Sequence, residues 1–232
     1  MSSALGRVFQ ATKEANRQAI IAELGGHTLA DMLDIGPHKG DYTARVAEAV
    51  GATNVHGIEL IPDHIDDAKQ RGIAVTLGNV DDGLPYADAS FDLVLANQVI
   101  EHVRNTDRFF TEIRRVLRPD GIACVSTNNM GSWHNVVSLA LGHQPMPMHV
   151  SDEIIVGNPL NPEHGWQHED LGRTHLRLFT TRALVELAAH HGLRATSTVS
   201  VGYYPLPPKI ARYAVRCDPR HSAYMIVLLQ PA

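Results

Sequence analysis

Cysteine is scarce in this 232-residue chain: Cys124 and Cys217 are its two thiols. Two thiols make neither a disulfide scaffold nor a four-ligand zinc site. Long apolar runs are missing too. None approaches the about 18 residues that a membrane span needs, so a transmembrane protein is excluded and no membrane partner is expected. Met1 to Gln10 lack a basic stretch followed by an apolar segment, which leads to the expectation of a cytoplasmic protein. Positive charge is in deficit, 20 Lys and Arg against 25 Asp and Glu, for a net charge of −5. Nothing global draws the chain to a polyanion, and no nucleic-acid partner is expected. No repeat, low-complexity tract or linker divides it, so residues 1–232 are read as one domain. What is abundant is histidine, with 14 residues.

Spaced apolar residues from Val8 to Leu24, ended by Gly25-Gly26, predict a leading helix. Short apolar runs follow at Leu29–Ile35, Asn54–Ile58, Ile73–Leu77, Phe91–Ala96 and Ile122–Ser126, separated by stretches of helical spacing. The clearest of these predicts a helix from Val103 to Leu117, which Arg118-Pro119-Asp120-Gly121 stops and turns into the next strand. Such alternation predicts an α/β fold with a parallel sheet covered on both faces. The order changes after Thr127. Residues 128–174, rich in turn formers and poor in periodicity, are expected to form a cap over the sheet. A helix at Thr181–His191 with Gly192 as its cap, then strands at Leu193–Val201 and Ser222–Leu229, make the sheet mixed.

The segment Met32-Leu33-Asp34-Ile35-Gly36-Pro37-His38-Lys39-Gly40 follows the first strand and opens a helix, where glycine lets backbone N–H groups approach an anion or cofactor. A dinucleotide fingerprint fails because His38 and Asp41 occupy two glycine positions, and the phosphate-loop Gly-Lys-Ser/Thr is absent. The segment resembles the Asp-x-Gly-x-Gly-x-Gly motif of class I S-adenosylmethionine (SAM) methyltransferases at Asp34, Gly36 and Gly40, and departs from it at His38. Glu59, 19 residues beyond Gly40, stands where a carboxylate accepts both ribose hydroxyls, and Leu60 and Ile61 suit the adenine face. Gly78-Asn79-Val80-Asp81-Asp82 resembles the family's Gly-Asp segment, with Asn79 as acceptor for the adenine amino group. Phe91 to Val103, with Asn97, and then Ile113 to Gly121 resemble the small-molecule branch that includes the ubiquinone-biosynthesis methyltransferases. The resemblance covers Leu29 to Thr127, with a further match at His175-Leu176-Arg177-Leu178-Phe179-Thr180. It implies a Rossmann-like, seven-stranded mixed sheet with a cap insertion, SAM as cofactor and S-adenosylhomocysteine as product. The implied cofactor-binding residues are Asp34, Gly36, His38, Gly40, Glu59, Leu60, Asn79, Val80 and Asn97.

Methyl transfer needs alignment of an in-line attack and, for a hydroxyl nucleophile, a base; histidine is the natural one. Gln98, Glu101 and His102, at i, i+3 and i+4, are expected to point from one helical face toward the cofactor cleft. Relatives with Glu at the first of these positions bind a divalent metal such as Mg²⁺. Here Gln98 supplies only a carbonyl, so Glu101 and His102 are read either as metal ligands or as groups that shape the cleft. Six histidines (His134, His143, His149, His164, His168 and His175) fall in the cap and its exit. His175, with His102 and Glu101, is the catalytic candidate; the alternative for His175 is capping of the late helix or sheet edge. Trp133 and Trp166 are read as apolar cap anchors or stacking platforms. Lys209, Arg212 and Arg216 are read as a solvated basic stripe, with an acidic substrate tail as the sharper alternative. The expected function is O-methylation of a small-molecule acceptor, a sugar or a phenolic or polyketide-like metabolite, with a homodimer left open. The rivals are an N-methyltransferase acting on amine, RNA or protein, and a non-catalytic SAM-fold binding protein.

Overall fold

A computed structural model describes residues 4–167 and 174–232. Seven strands form one sheet: β1 (Asp31–Ile35), β2 (Asn54–Glu59), β3 (Ala74–Leu77), β4 (Phe91–Asn97), β5 (Leu117–Asn128), β6 (Leu193–Val201) and β7 (Tyr224–Pro231), in the order β3-β2-β1-β4-β5-β7-β6. β1 to β5 run parallel, and β7 lies antiparallel between β5 and β6. This is the Rossmann-like mixed sheet that the sequence predicts. The central strands are buried on both faces: Leu93, Val94, Leu95 and Ala96 of β4 are all inside, as continuous apolar runs require.

Helices α1 (Ala4–Leu24) and α2 (Asp41–Val50) cover one face, where Ile20, Leu24, Val46 and Val50 meet Met32, Leu93 and Leu95. α4 (Thr106–Val116) and α6 (Thr181–His190) cover the other, with Phe109, Phe110, Ile113 and Leu184 on Leu33, Val94 and Val227. The other α-helices among the described residues are α3 (Ile65–Gln70), α5 (Trp133–Ala140) and α7 (Pro208–Cys217). The chain winds outward from β1 to β3 and returns to start β4 beside β1, which places the switch of winding direction between those strands. Their carboxyl ends, at Ile35 and Asn97, frame the crevice where such sheets bind ligands.

Three local expectations change. α4 starts at Thr106, because the Asn105 side chain caps it by accepting from Arg108 N at 2.9 Å. Residues 118–121 do not separate a helix from a new strand. β5 begins at Leu117, opposite Phe91, and those four residues bulge before Ile122 pairs with Leu93. α6 is capped by His191, and Gly192 follows with φ 73°. Within residues 128–167 the chain has one helix, α5. The loop after it is tied down by asparagines: Asn158 Nδ2 donates to Ser138 Oγ and to Gln144 O, and Asn161 Nδ2 donates to Met146 O.

Candidate active site

At the end of β1, Asp34 is buried and accepts from Thr43 Oγ1 at 2.6 Å; burial pushes its carboxyl up to about 7. The loop that follows needs left-handed backbone at Gly36 (φ 76°) and Gly40 (φ 84°). At Gly40 a Cβ would also press to 2.7 Å from Ile73 Cδ1 and 3.0 Å from Ala68 Cα, so glycine is required twice over. His38, at φ 52°, holds the same region without that freedom. Its N–H donates to Glu59 Oε2 at 2.8 Å, and Ile61 N–H donates to Glu59 Oε1 at 2.9 Å. Glu59 therefore fixes the loop while each of its oxygens keeps a further acceptor site. Beside it, the His38 and His64 rings lie tilted against each other with centroids 3.8 Å apart, and His64 Nδ1 lies 3.8 Å from Glu59 Oε1.

A cavity of about 690 Å³ opens from this loop, lined there by Asp34, Gly36, His38, Gly40 and Asn97. Glu59, Leu60, Asn79 and Val80 lie outside that lining. Leu60 is exposed and Val80 belongs to the core. The amide oxygen of Asn79, expected to face an adenine, already accepts from Asp81 N at 2.9 Å as the cap of a 3-10 turn.

The segment after β4 corrects the helical-face expectation. Gln98 has φ 59°, and Ile100–His102 form a 3-10 turn, so the three side chains do not share a helical face turned to the cleft. Gln98 and His102 line the cavity, whereas Glu101 is fully buried beside β5 and is not part of the lining. Thr127 Oγ1 donates to Glu101 Oε2 at 2.8 Å and Asn128 Nδ2 lies 3.4 Å from Oε1; burial still raises the carboxyl to about 7.

His102 and His175 meet edge to face with ring centroids 4.7 Å apart, and His149 stacks on His175 at 4.5 Å. His102 Nδ1 contacts Thr174 O at 3.1 Å and His175 Nδ1 contacts Pro147 O at 2.5 Å. A carbonyl can only accept, so Nδ1 carries the proton in each ring, and in the neutral form the lone pair is on Nε2. Burial, reinforced by His102 and His149, lowers His175 to about 3, which keeps it neutral near pH 7. Ligand atoms of Glu101, His102 and His175 all lie within 4.8 Å of one another.

Of the other cap histidines, His134 and His149 line the cavity and His143 and His164 do not; His168 lies outside the described residues. Burial lowers His134 to about 4. Trp133 is no apolar anchor: its Nε1 donates to Asp218 Oδ2 at 2.8 Å and its ring leans on His221. Trp166 lines the cavity but stays largely exposed. Sequence reading missed two walls. One is α1, where Phe9, Thr12, Lys13 and Asn16 face the cavity and Asn16 Nδ2 donates to Asn97 Oδ1 at 3.1 Å. Its signal was a pair of polar residues, Thr12 and Asn16, on the inward stripe of the helix. The other wall is Tyr204 from the turn after β6 and Tyr224 from β7, with Tyr204 edge-on to both Phe9 and His134.

Residues 33–125 match the family described as Methyltransferase domain. A relative named norajmaline N-methyltransferase, from Rauvolfia serpentina, is 37% identical over 115 residues, covering 46% of this chain and 38% of that protein. A demethylmenaquinone methyltransferase of Deinococcus radiodurans is 30% identical over 110 residues, covering 45% of this chain and 46% of the other. The matches thus span less than half of those relatives' own lengths. Among solved structures, the SpnF cyclase superposes with a TM-score of 0.61 at 19% identity, covering 94% of this chain and 81% of that one; this likeness concerns the fold alone.

Proposed function

We propose, from the methyltransferase-domain match over residues 33–125, that the chain is a class I SAM-dependent methyltransferase and that it methylates a hydroxyl of a small molecule. We read residues 1–232 as one domain with 128–174 as its cap. The observation that carries the proposal is the continuous cavity from the Asp34–Gly40 loop to the neutral imidazoles of the cap. SAM supplies a methyl group already activated on a sulfonium, and S-adenosylhomocysteine is left. In this reading Asp34, Gly36, His38, Gly40 and Asn97 hold the methionine end, and Glu59, Leu60, Asn79 and Val80 serve the adenosine end. The unused acceptor sites of the Glu59 carboxylate and the glycine backbone fit that cofactor.

His102 and His175 then act on the acceptor. Each ring is oriented by its Nδ1 contact to a carbonyl and offers Nε2 to a hydroxyl proton. As the oxygen attacks the methyl carbon its proton passes to Nε2 of His102, while His175, held at about 3, accepts a hydrogen bond from the hydroxyl and orients it. Glu101, behind them, fixes the local backbone through its own carbonyl, which accepts from Leu176 N at 2.7 Å. The walls of Tyr204, Phe9, His134 and Met146 suit a sugar or phenolic acceptor by stacking and hydrogen bonding.

A metal-assisted variant has one supporting observation, the Glu101, His102 and His175 cluster. Its carboxylate and two imidazoles, the latter with Nδ1 held by carbonyls, are donors that fit a divalent ion. A second reading, N-methylation, is favoured by the name of the Rauvolfia relative. A third, a SAM-fold protein without methyl transfer, is kept in view by the cyclase that shares the fold. Calorimetry with SAM and S-adenosylhomocysteine comes first, and binding of neither overturns the enzyme reading. A screen of hydroxyl and amine acceptors with methyl-labelled SAM then separates O- from N-methylation.

A further inference from the structure

Helix α5 is inside out. Its inward residues are polar: Ser132 at the cap and Asn135 are 0% exposed, and Ser138 follows one turn on. Each is engaged. Asn135 Nδ2 donates to Asn129 O at 3.1 Å, Asn158 Nδ2 donates to Ser138 Oγ at 3.0 Å, and Ser132 Oγ contacts His134 Nε2 at 3.2 Å. The outward stripe, Trp133, Val136, Val137, Ala140 and Leu141, follows i, i+3, i+4, i+7, i+8 spacing and is apolar, with Trp133 43%, Val137 49% and Leu141 62% exposed. With the flanking Leu139, these side chains present on the order of 400 Å² of apolar surface, about half of the ~800 Å² per partner of a standard interface. The inward hydrogen bonds fix the orientation, so the stripe cannot turn in.

The two ends of the stripe carry opposite charge. At the Trp133 end, its bond to Asp218 joins α5 to α7, which has exposed Lys209, Arg212 and Arg216 and no acidic residue. At the Leu141 end, Gln144 N donates to Gly157 O and Asn158 Nδ2 to Gln144 O, which pins the loop bearing exposed Asp152 and Glu153. None of these five charges has an ion pair among the described residues. Residues 129–167 contain no Lys or Arg, so an anionic lipid surface would find no attraction over most of the patch.

We propose that α5 is the seam of an isologous homodimer, two copies packing antiparallel about an axis near Val137. That arrangement lays Trp133 of each copy beside Leu141 of the other. It also sets the cations of α7 against Asp152 and Glu153 of the other copy, twice over by symmetry. Opposite charges at the two ends of one stripe match a reversed copy of the same stripe.

Sedimentation equilibrium on the full chain tests this. The wild type should weigh twice 25.4 kDa at micromolar concentration, and Val137→Glu, whose new carboxylate is solvated in the monomer, should weigh 25.4 kDa with unchanged circular dichroism. Arg212→Glu with Arg216→Glu should weaken the dimer about tenfold, and adding Asp152→Arg with Glu153→Arg should restore it. A wild type still monomeric at about 100 µM overturns the proposal, as does a dimeric Val137→Glu or a quadruple variant that stays weak. Co-sedimentation of a monomeric wild type with phosphatidylcholine–phosphatidylglycerol vesicles would assign the stripe to a membrane instead.

Discussion

The imidazole of His38 lies against that of His64, centroids 3.8 Å apart, beside the carboxylate of Glu59. The pair stands where the glycine loop meets the end of β2, and His38 reaches it only by accepting φ 52°. Replacing His38 with glycine removes the ring and the cost, about 1 kcal/mol, of a left-handed conformation at an L-residue. His38→Gly should therefore not lower thermal stability and, with the residue holding SAM through its backbone, should leave SAM affinity by calorimetry near the wild-type value. Weaker binding would instead give the His38 ring a direct hold on the cofactor.

Glu59 anchors the loop through His38 N and Ile61 N, and in the proposed reading it also accepts the ribose hydroxyls of SAM. Glu59→Ala should weaken SAM binding by at least tenfold, since each charge-assisted hydrogen bond contributes about 1.5–3 kcal/mol. Unchanged affinity would remove Glu59 from the cofactor site.

For the acceptor side, His102→Ala and His175→Ala should each lower kcat by roughly 10²–10⁴ while leaving SAM affinity near the wild-type value. His175 is held at about 3, so its own titration should produce no acid limb in kcat/KM between pH 5 and 8. Near-normal turnover of both variants would end the histidine-base reading.

Chelation separates the base from the metal. Dialysis against EDTA should leave turnover unchanged if the imidazoles act alone, and a loss restored by Mg²⁺ or Mn²⁺ would assign the Glu101, His102 and His175 cluster to an ion.

Glu101 also makes a stability prediction. Its folded-state value, about 7, lies above the ordinary 4.5, so folding favours the protonated form. The stabilising contribution is complete below pH 4.5 and is lost as pH rises through about 7. Glu101→Gln should gain on the wild type across that window, reaching about 3 kcal/mol, in denaturant titrations at successive pH values. A difference independent of pH would mean that Glu101 is already charged in the folded protein.

The sheet and the glycine loop were readable because their causes are local. Strands buried on both faces appear as unbroken apolar runs, and left-handed backbone at Gly36 and Gly40 demands glycine in place. The reading of Gln98, Glu101 and His102 failed because it assumed helical φ where Gln98 sits at 59°. Leu60 and Asn79 were placed by position along the motif, which does not report that Asn79 already caps a turn. The α1 wall was hidden for another reason. A contact such as Asn16 to Asn97 joins residues 81 positions apart, and periodicity carries no information across that distance.

Joining distant residues also imposes an order in time. Phe9 of α1 meets Tyr204, and Glu23 accepts from Ser197 Oγ of β6 at 2.7 Å, while Tyr224 of β7 lines the same cavity. A ribosome delivers α1 long before β6 and β7, so α1 must wait, unpartnered on that side, until they emerge. A nascent chain halted after β5 would display the glycine loop and its carboxylate with no chamber around them. The chamber is in this sense acquired only once β6 and β7 have been made.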